Sequence, residues 1–490
     1  MTTVKSTSVQ TLIIGAGFSG IGMAKTLHKR GMTDFLVLEE SSTPGGTWFL
    51  NRYPGCACDI PTEFYSFSDE PHPWKQLYSS WDEIGTYLIE VVDRHNLRPY
   101  IRFGESVESA EWDNDKKNWR VLTTSGSCYD AQFVVSGIGA LNIPQIPQFE
   151  DFDKFEGVAL HTARWENVDL TNKRVAVVGT GASAIQLVPE IIDDVAELHL
   201  YQRTPPWVVP NFNWHYGRLT RFVLENVPGA RRSLRYNVFW IQEFLGIGMT
   251  RQPYVLKALE KLGRWNINRS IDDENLQRQL TPNWTLACKR LLKSNGWYPA
   301  IANPKTQLIN DGIKRFTPKS IVSADGTERD VDIVIWATGF HVADPNVFPR
   351  IQGINDVELT KRWKNEGVQA HRGVTVADMP NLFFLLGPNT GLGHNSVVFM
   401  IESQIGYVMQ LIDETIKRNC KTVVPKRKAQ DSWNEWVQEK LQGTVWDVGG
   451  CNSWYTDEHG VNRVLYPRLA SEYWLQMRRI NTREFNFKEL

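Results

Sequence analysis

The chain has no excess of charge of either sign. Its 54 Lys and Arg face 55 Asp and Glu, for a net charge of −1. Nothing in that balance draws it to nucleic acid or to an anionic membrane. Cysteine is sparse: Cys56, Cys58, Cys128, Cys288, Cys420 and Cys451 are scattered over 490 residues. No CxxC pairs with another, Cys56 and Cys58 are too close for an unstrained disulfide, and no HExxH occurs among the ten histidines. The pattern predicts free thiols in a reducing, cytoplasmic setting and no metal site. Long apolar runs are also missing, and no stretch reaches the roughly 18 residues of a membrane span. Tyr236–Met249 comes closest but carries Gln242 and Glu243. It reads as a core or interface helix, with a membrane-surface helix as the lesser alternative. The N-terminal stretch MTTVKSTSVQ is polar, and the apolar run behind it is broken by Gly15, Gly17 and Gly20. That argues against a signal peptide.

What is present is an ordinary globular balance, 42% apolar and 22% charged, with an unusual 19 tryptophans. The length suggests two to four domains. The first informative unit is QTLIIGAGFSGIGMAKTLHKRGMTDFLVLEE. A strand at Thr11–Ile14 meets Gly15-x-Gly17-x-x-Gly20. A helical pattern runs to Lys29, and a second strand, Phe35–Leu38, ends at Glu39. This is the βαβ setting in which a GxGxxG loop cradles a pyrophosphate at a helix N-terminus. Glu39, nineteen residues past Gly20, offers a carboxylate to ribose hydroxyls and repels a 2′-phosphate. The site therefore suits FAD or NAD.

The second unit is KRVAVVGTGASAIQLVPEIIDDVAELHLYQRT. A strand at Arg174–Val178 leads into Gly179-x-Gly181-x-x-Ala184, with Ser183 beside the last. The helix runs to about Ile192 and a strand follows at Leu198–Tyr201. Here Arg203 and Thr204 stand where the first unit has its acid. A cation and a hydroxyl at that point suit the 2′-phosphate of NADPH. Two such units imply two dinucleotides, an NADPH donor and a flavin acceptor. Apolar segments ending in glycine at Phe133–Pro147 and Val331–Phe340 read as crossovers between the two units. The late strand within Asn381–Gly391 reads as a return to the first.

Between the loops lies FEGVALHTARW, with Phe155, Gly157, His161 and Trp165 at a spacing that no helix face or strand alternation demands. Phe-x-Gly-x3-His-x3-Trp resembles the fingerprint of the flavin-dependent Baeyer–Villiger monooxygenases, which are related to the flavin-containing monooxygenases. The family commonly closes it with Pro or Asp, and here Glu166 follows. GGTWFLNRYPGCACD (Gly45–Asp59) resembles a second family signature without mismatch. CKRLLKSNGWYP (Cys288–Pro299) is similar to the segment holding the family's essential arginine, and GGCNSWY (Gly449–Tyr455) to one branch's tail.

The resemblance implies an α/β fold with two Rossmann-like dinucleotide-binding domains, for FAD and NADP, and a helical insertion. The implied boundaries are 1–147 with 375–490 for FAD, 148–211 with 288–374 for NADP, and 212–287 for the insertion. It implies FAD contacts at Gly46, Thr47, Trp48, Asp59 and Tyr65 besides Gly15, Gly17, Gly20 and Glu39. It adds Lys289 and Arg290 to Gly179, Gly181, Ser183, Ala184, Arg203 and Thr204 on the NADP side. NADPH reduces the flavin, O2 forms a flavin peroxide, and that species attacks a ketone to yield an ester or lactone, with sulfoxidation as a side activity. Arg290 is the candidate fixed cation, because a guanidinium keeps its charge and donates several hydrogen bonds. Asp59 is its candidate orienting partner. Gly157, His161 and Trp165 are expected to form a linker, with Gly157 supplying backbone freedom and His161 changing hydrogen bonds as the domains move. The aromatic residues Trp433, Trp436, Trp446 and Trp454 are candidate pocket walls, though equally core. A ketone and O2 are the expected partners, with no obligate protein partner.

Three other readings compete. An N- or S-oxygenating flavin monooxygenase would need no dedicated arginine. A pyridine nucleotide–disulfide reductase would carry a CxxxxC near the first loop, which this chain lacks. A non-catalytic NADPH sensor would bind both nucleotides without consuming O2.

Overall fold

A computed structural model describes residues 6–488. The first residues of the polar N-terminal stretch, 1–5, lie outside that range. Both βαβ units form where the glycine loops place them. In the first, Thr7–Ile14 pairs in parallel with Phe35–Glu39, and the helix between them spans Phe18–Lys29. Their buried residues are apolar apart from Thr11 and Glu39, as befits strands of a sheet covered on both faces. They belong to an eight-stranded sheet. Cys128–Ser136 lies on the other side of Thr7–Ile14, and Leu382–Phe384 pairs in parallel with it through Leu382↔Val134. The late segment thus returns to the first sheet, as expected from its sequence.

The second unit anchors a five-stranded, all-parallel sheet in the order Thr306–Ile309, Glu197–Tyr201, Arg174–Val178, Ile333–Trp336, Val158–His161. Its helix, Ala182–Ile191, begins directly after Gly181. Buried residues from both sheets, among them Ile13, Val37, Val175 and Leu198, join one continuous apolar cluster. Between Arg218 and Leu280 the chain forms four α-helices, Arg218–Asn226, Ala230–Thr250, Lys257–Asn268 and Glu274–Leu280.

Three expectations change here. The segment around His161 is not a free linker: Val158–His161 is the edge strand of the five-stranded sheet. Its short run of four residues hides the strand pattern. Gly157 lies outside the left-handed region, and a Cβ there would stand 2.5 Å from the Asp332 carbonyl oxygen and 2.4 Å from the Phe155 ring. Close approach, rather than backbone freedom, explains the glycine. The Tyr236–Met249 run, read as a core or interface helix, joins the core on one face only: Val238, Gln242, Glu243 and Met249 are buried, while Tyr236, Trp240, Ile241 and Phe244 are exposed.

The cysteines also depart from the expectation of free thiols. Cys288 and Cys451 form a disulfide across 163 residues, with Cα atoms 6.0 Å apart. The 449–451 turn folds onto 285–288, where Thr285 N–H donates to the Gly449 carbonyl. A side chain at Gly449 would meet Cys288 Sγ at 2.8 Å. Cys56, Cys58, Cys128 and Cys420 are free and buried. The cysteine argument for a reducing compartment falls with this pair. No helix among the described residues is long and apolar enough to cross a membrane, and no group of three or more His, Cys, Asp or Glu among them could hold a metal ion.

Candidate active site

The first glycine loop is built for close approach. Gly15 sits at φ +92°, and a Cβ on Gly20 would lie 1.7 Å from the Gly15 carbonyl oxygen. Gly17 and Gly46 face each other, so that a Cβ on Gly46 would reach Gly17 Cα at 2.9 Å. The Phe18–Lys29 helix starts from Gly17 without a side-chain cap, leaving its first N–H groups for a ligand. Glu39 is buried, and its carboxylate accepts from Ala16 N–H at 2.6 Å and Ser41 N–H at 2.8 Å. Each oxygen keeps a lone pair for a ribose hydroxyl. Thr47 opens the short Thr47–Leu50 helix, and buried Trp48 donates its indole N–H to Tyr65 Oη at 3.3 Å.

At the second loop, Gly179 has φ +109°, and a Cβ on Gly181 would meet nothing within 4 Å. That open space lies at the uncapped start of the Ala182–Ile191 helix, whose first turn carries Ser183 and Ala184. Arg203 and Thr204 are exposed at the end of Glu197–Tyr201. Lys289 comes to them from far along the chain, donating Nζ–H to Thr204 Oγ1 at 3.0 Å. Burial, and then the Arg203 charge, lower the Lys289 ammonium below its usual value. Two neighbouring cations around a hydroxyl, with free helix N–H groups nearby, fit a nucleotide bearing an extra phosphate.

The loop at 53–57 lies against the second unit. Gln186, on the Ala182–Ile191 helix, accepts from Tyr53 Oη at 2.8 Å and donates Nε2–H to the Ala57 carbonyl at 2.9 Å. Gly55, at φ +76°, lets that loop lie against the helix, where a Cβ would stand 2.5 Å from the Gln186 carbonyl oxygen. This pins Tyr53–Asp59 to the second dinucleotide helix.

Asp59 and Arg290 meet there. Nε and Nη2 of Arg290 donate to the two Asp59 oxygens, each at 2.6 Å. Nη1 donates to the carbonyls of Leu392 and Gly393 at 3.1 and 3.3 Å. At least one N–H on Nη2 is left without a partner. The pair is not sealed: 24% of the Arg290 side chain and 32% of the Asp59 side chain stay accessible. Burial would raise the Asp59 carboxyl, but the Arg290 charge and hydrogen bonds, aided by Lys293, hold it below the usual range. Burial works against the guanidinium in the same way, and Asp59 raises it above its usual value.

Several residues here went unread in the sequence. Lys293 Nζ donates to the Asp59 carbonyl and to Tyr78 Oη, each at 3.1 Å. Buried Tyr455 lies close enough to Arg290 to feel its charge, though burial lifts the phenol to about 12. The deepest omission is Glu243. It is 2% exposed and accepts from Asn395 Nδ2 at 2.8 Å, His394 Nε2 at 3.3 Å, Ala470 N–H at 3.1 Å and Ser471 N–H at 3.0 Å. Burial would raise its carboxyl, but the bonds from His394 and Ser471 outweigh it and hold it at about 2. It fastens the loop whose Leu392 and Gly393 carbonyls hold Arg290. An acid in the middle of an apolar helical run was the one sequence signal for it. Glu243→Ala leaves several buried donors unpaired, so a loss of about 3–5 kcal/mol of stability is expected. NADPH oxidation should then outrun product formation. A thermal melt and the product-to-NADPH ratio both unchanged from the parent contradict this.

His161 is 3% exposed and makes two bonds. Its Nδ1 accepts from Ala163 N–H, so Nε2 carries the proton and donates to the Gly339 carbonyl, each at 3.0 Å. Burial drives its value down to about 4, which keeps the ring neutral. Below its unfolded value of about 6.5, the unfolded chain takes up a proton that the folded chain refuses. The stability linked to this ring is therefore whole above about 6.5 and is lost as pH falls towards about 4. His161→Gln is expected to flatten denaturant-measured stability across that window. An unchanged pH slope refutes the assignment. Trp165 is half-buried against the main core. Of the four candidate pocket tryptophans, Trp446 lies against the 392–394 loop, where it would meet a Cβ on Gly393 at 2.6 Å. Trp433 and Trp436 pack on each other with centroids 4.9 Å apart, and Trp454 is exposed.

Two dinucleotide loops, with an arginine–aspartate fork where the 53–59 loop lies against the second dinucleotide helix, define a two-nucleotide α/β oxidoreductase. A family model described as pyridine nucleotide-disulphide oxidoreductase matches residues 12–227, across both loops. Over 97% of this chain, a Baeyer-Villiger monooxygenase of Streptomyces coelicolor is 39% identical, with 92% of that protein covered. Another Baeyer-Villiger monooxygenase, from Pseudomonas aeruginosa, is 40% identical over 97% of this chain and 89% of its own length. The crystal structure of cyclohexanone monooxygenase from Rhodococcus sp. Phi1 bound to NADP+ superposes with a TM-score of 0.89 at 26% identity, covering 99% of this chain and all of that one. The chain belongs to the Baeyer–Villiger monooxygenases.

Proposed function

We propose that this protein uses NADPH and O2, with FAD, to convert ketones to esters or lactones. The Arg290–Asp59 fork carries the reading, because a fixed cation beside two dinucleotide sites is what carbonyl oxidation asks of the protein. Bound FAD, once reduced by NADPH, supplies the activated oxygen. The chain's own residues do the rest. Gly15, Gly17 and Gly20 bring backbone N–H groups to the FAD pyrophosphate, and Glu39 accepts from its ribose. Trp48, Tyr65 and the Gly46–Thr47 turn would wall the same cofactor. Arg203, Thr204 and Lys289 hold the 2′-phosphate of NADPH, while Gly181 and the helix start at Ser183 and Ala184 hold its pyrophosphate.

Asp59 takes two Arg290 donors and the carbonyls of Leu392 and Gly393 occupy Nη1. The remaining Nη2–H is then fixed in direction, to meet negative charge as it develops on the carbonyl oxygen. One oxygen atom enters between the carbonyl carbon and its neighbour, and the other leaves as water. A cytoplasmic setting belongs to this reading, since NADPH is supplied there. Incubation of the FAD-loaded protein with NADPH and a panel of ketones, amines and thioethers tests it by product mass. Esters or lactones from ketones support it; N- or S-oxides alone, or no product at all, overturn it.

A further inference from the structure

The Ala230–Thr250 helix buries Val238 and Met249 on one face and leaves most of its aromatic residues on the other. Its acid and amide, Glu243 and Gln242, face the protein, while Tyr236, Trp240 and Phe244, spaced four apart on one face, stand 52, 62 and 75% exposed. Ile241 beside them is 61% exposed. The preceding helix, Arg218–Asn226, has no buried residue at all, yet it carries Leu219 at 75% and Phe222 at 60% exposure. The two helices are joined, since Arg231 Nε donates to the Leu224 carbonyl at 2.9 Å. A contiguous run of exposed aromatic and apolar side chains of this kind marks an interaction site.

Its charge says what covers it. Between Phe212 and Arg251 there are six arginines and no lysine, against only Glu225 and Glu243. Glu243 is buried among its hydrogen-bond donors, and Arg235 is spent on the Glu63 and Ser66 carbonyls. Arg218, Arg221 and Arg232 remain exposed beside the apolar stripe. The near-zero charge of the whole chain hides this local excess. A symmetric dimer through this face would gather three exposed arginines from each copy against only Glu225 of each. A partner must therefore be anionic at its rim and apolar within, and it must accept two helices lying flat.

We propose that these paired helices dock the protein on an anionic phospholipid surface. Phe222, Trp240 and Phe244 enter the headgroup boundary, and Arg218, Arg221 and Arg232 meet the phosphates. The docking is independent of the chemistry proposed above.

Vesicle flotation of the FAD-loaded full chain tests this. Phosphatidylcholine vesicles are compared with an equal mixture of phosphatidylcholine and phosphatidylglycerol. The parent is expected to float with the mixed vesicles and not with pure phosphatidylcholine, and added salt should release it. Arg218→Gln with Arg221→Gln should weaken binding roughly thirtyfold. Trp240→Ser with Phe244→Ser should abolish it. FAD content and melting temperature serve as controls for folding, as all four side chains are exposed. A parent that stays soluble with both vesicles overturns the proposal. So does an aromatic variant that floats like the parent, or a parent dimer that the same variant dissolves.

Discussion

Arg290→Ala is expected to oxidise NADPH and reduce its flavin at near the parent rate, yet to form ester about 100- to 1000-fold more slowly. Loss of one oxyanion donor costs about 2.7–4 kcal/mol in the transition state, and the fork leaves this side chain a free Nη2–H for that purpose. Flavin reduction needs no such donor. The two rates should therefore separate, one followed by flavin absorbance and the other by product mass. Lysine at 290 keeps a charge but cannot take both Asp59 oxygens and the Leu392 and Gly393 carbonyls together, so Arg290→Lys should recover little. Ester formation near the parent rate in either variant clears Arg290 of the role.

Arg203→Glu is expected to give the second largest effect, in nucleotide use. Lys289 bonds to Thr204 beside Arg203, and Arg203 already weighs on the Lys289 ammonium. A phosphate relieves that repulsion. Each charge-assisted bond to it contributes about 1.5–3 kcal/mol, so loss of one and reversal of its sign should raise the KM for NADPH by about a hundredfold or more. The KM for NADH should move little, since it has no phosphate there. Steady-state kinetics with both nucleotides measures this. An unchanged ratio of the two KM values places the 2′-phosphate elsewhere.

Both dinucleotide units were legible in place and order, because GxGxxG between an apolar strand and a helix is a local pattern, although the first strand starts at Thr7 rather than Thr11. The strands at Arg174–Val178 and Phe35–Glu39 fall within a residue of where the pattern puts them. The Asp59–Arg290 fork was legible only through family resemblance, since 231 residues separate its members. Nothing local hinted at Lys293, at the 392–393 carbonyls or at the Cys288–Cys451 pair, whose partners are set by how loops return. The Val158–His161 strand was missed because four residues at a sheet edge carry too little alternation to read. The 230–250 helix was legible only as a core or interface helix, for a different reason. Its apolar residues are abundant enough for a core, but the buried bonds of Glu243 decide which face turns inward. Burial of one acid with several donors outweighs the exposure of the aromatic stripe, which then needs a cover of its own.

The central claim is that a fixed guanidinium and two nucleotides together insert oxygen beside a carbonyl. The FAD-loaded protein should be given NADPH, a ketone and isotopically heavy O2, and the product weighed. The expected product is an ester or lactone with a single heavy oxygen, placed between the carbonyl carbon and its former neighbour. An unlabelled product, or NADPH consumed with hydrogen peroxide as the sole outcome, contradicts it.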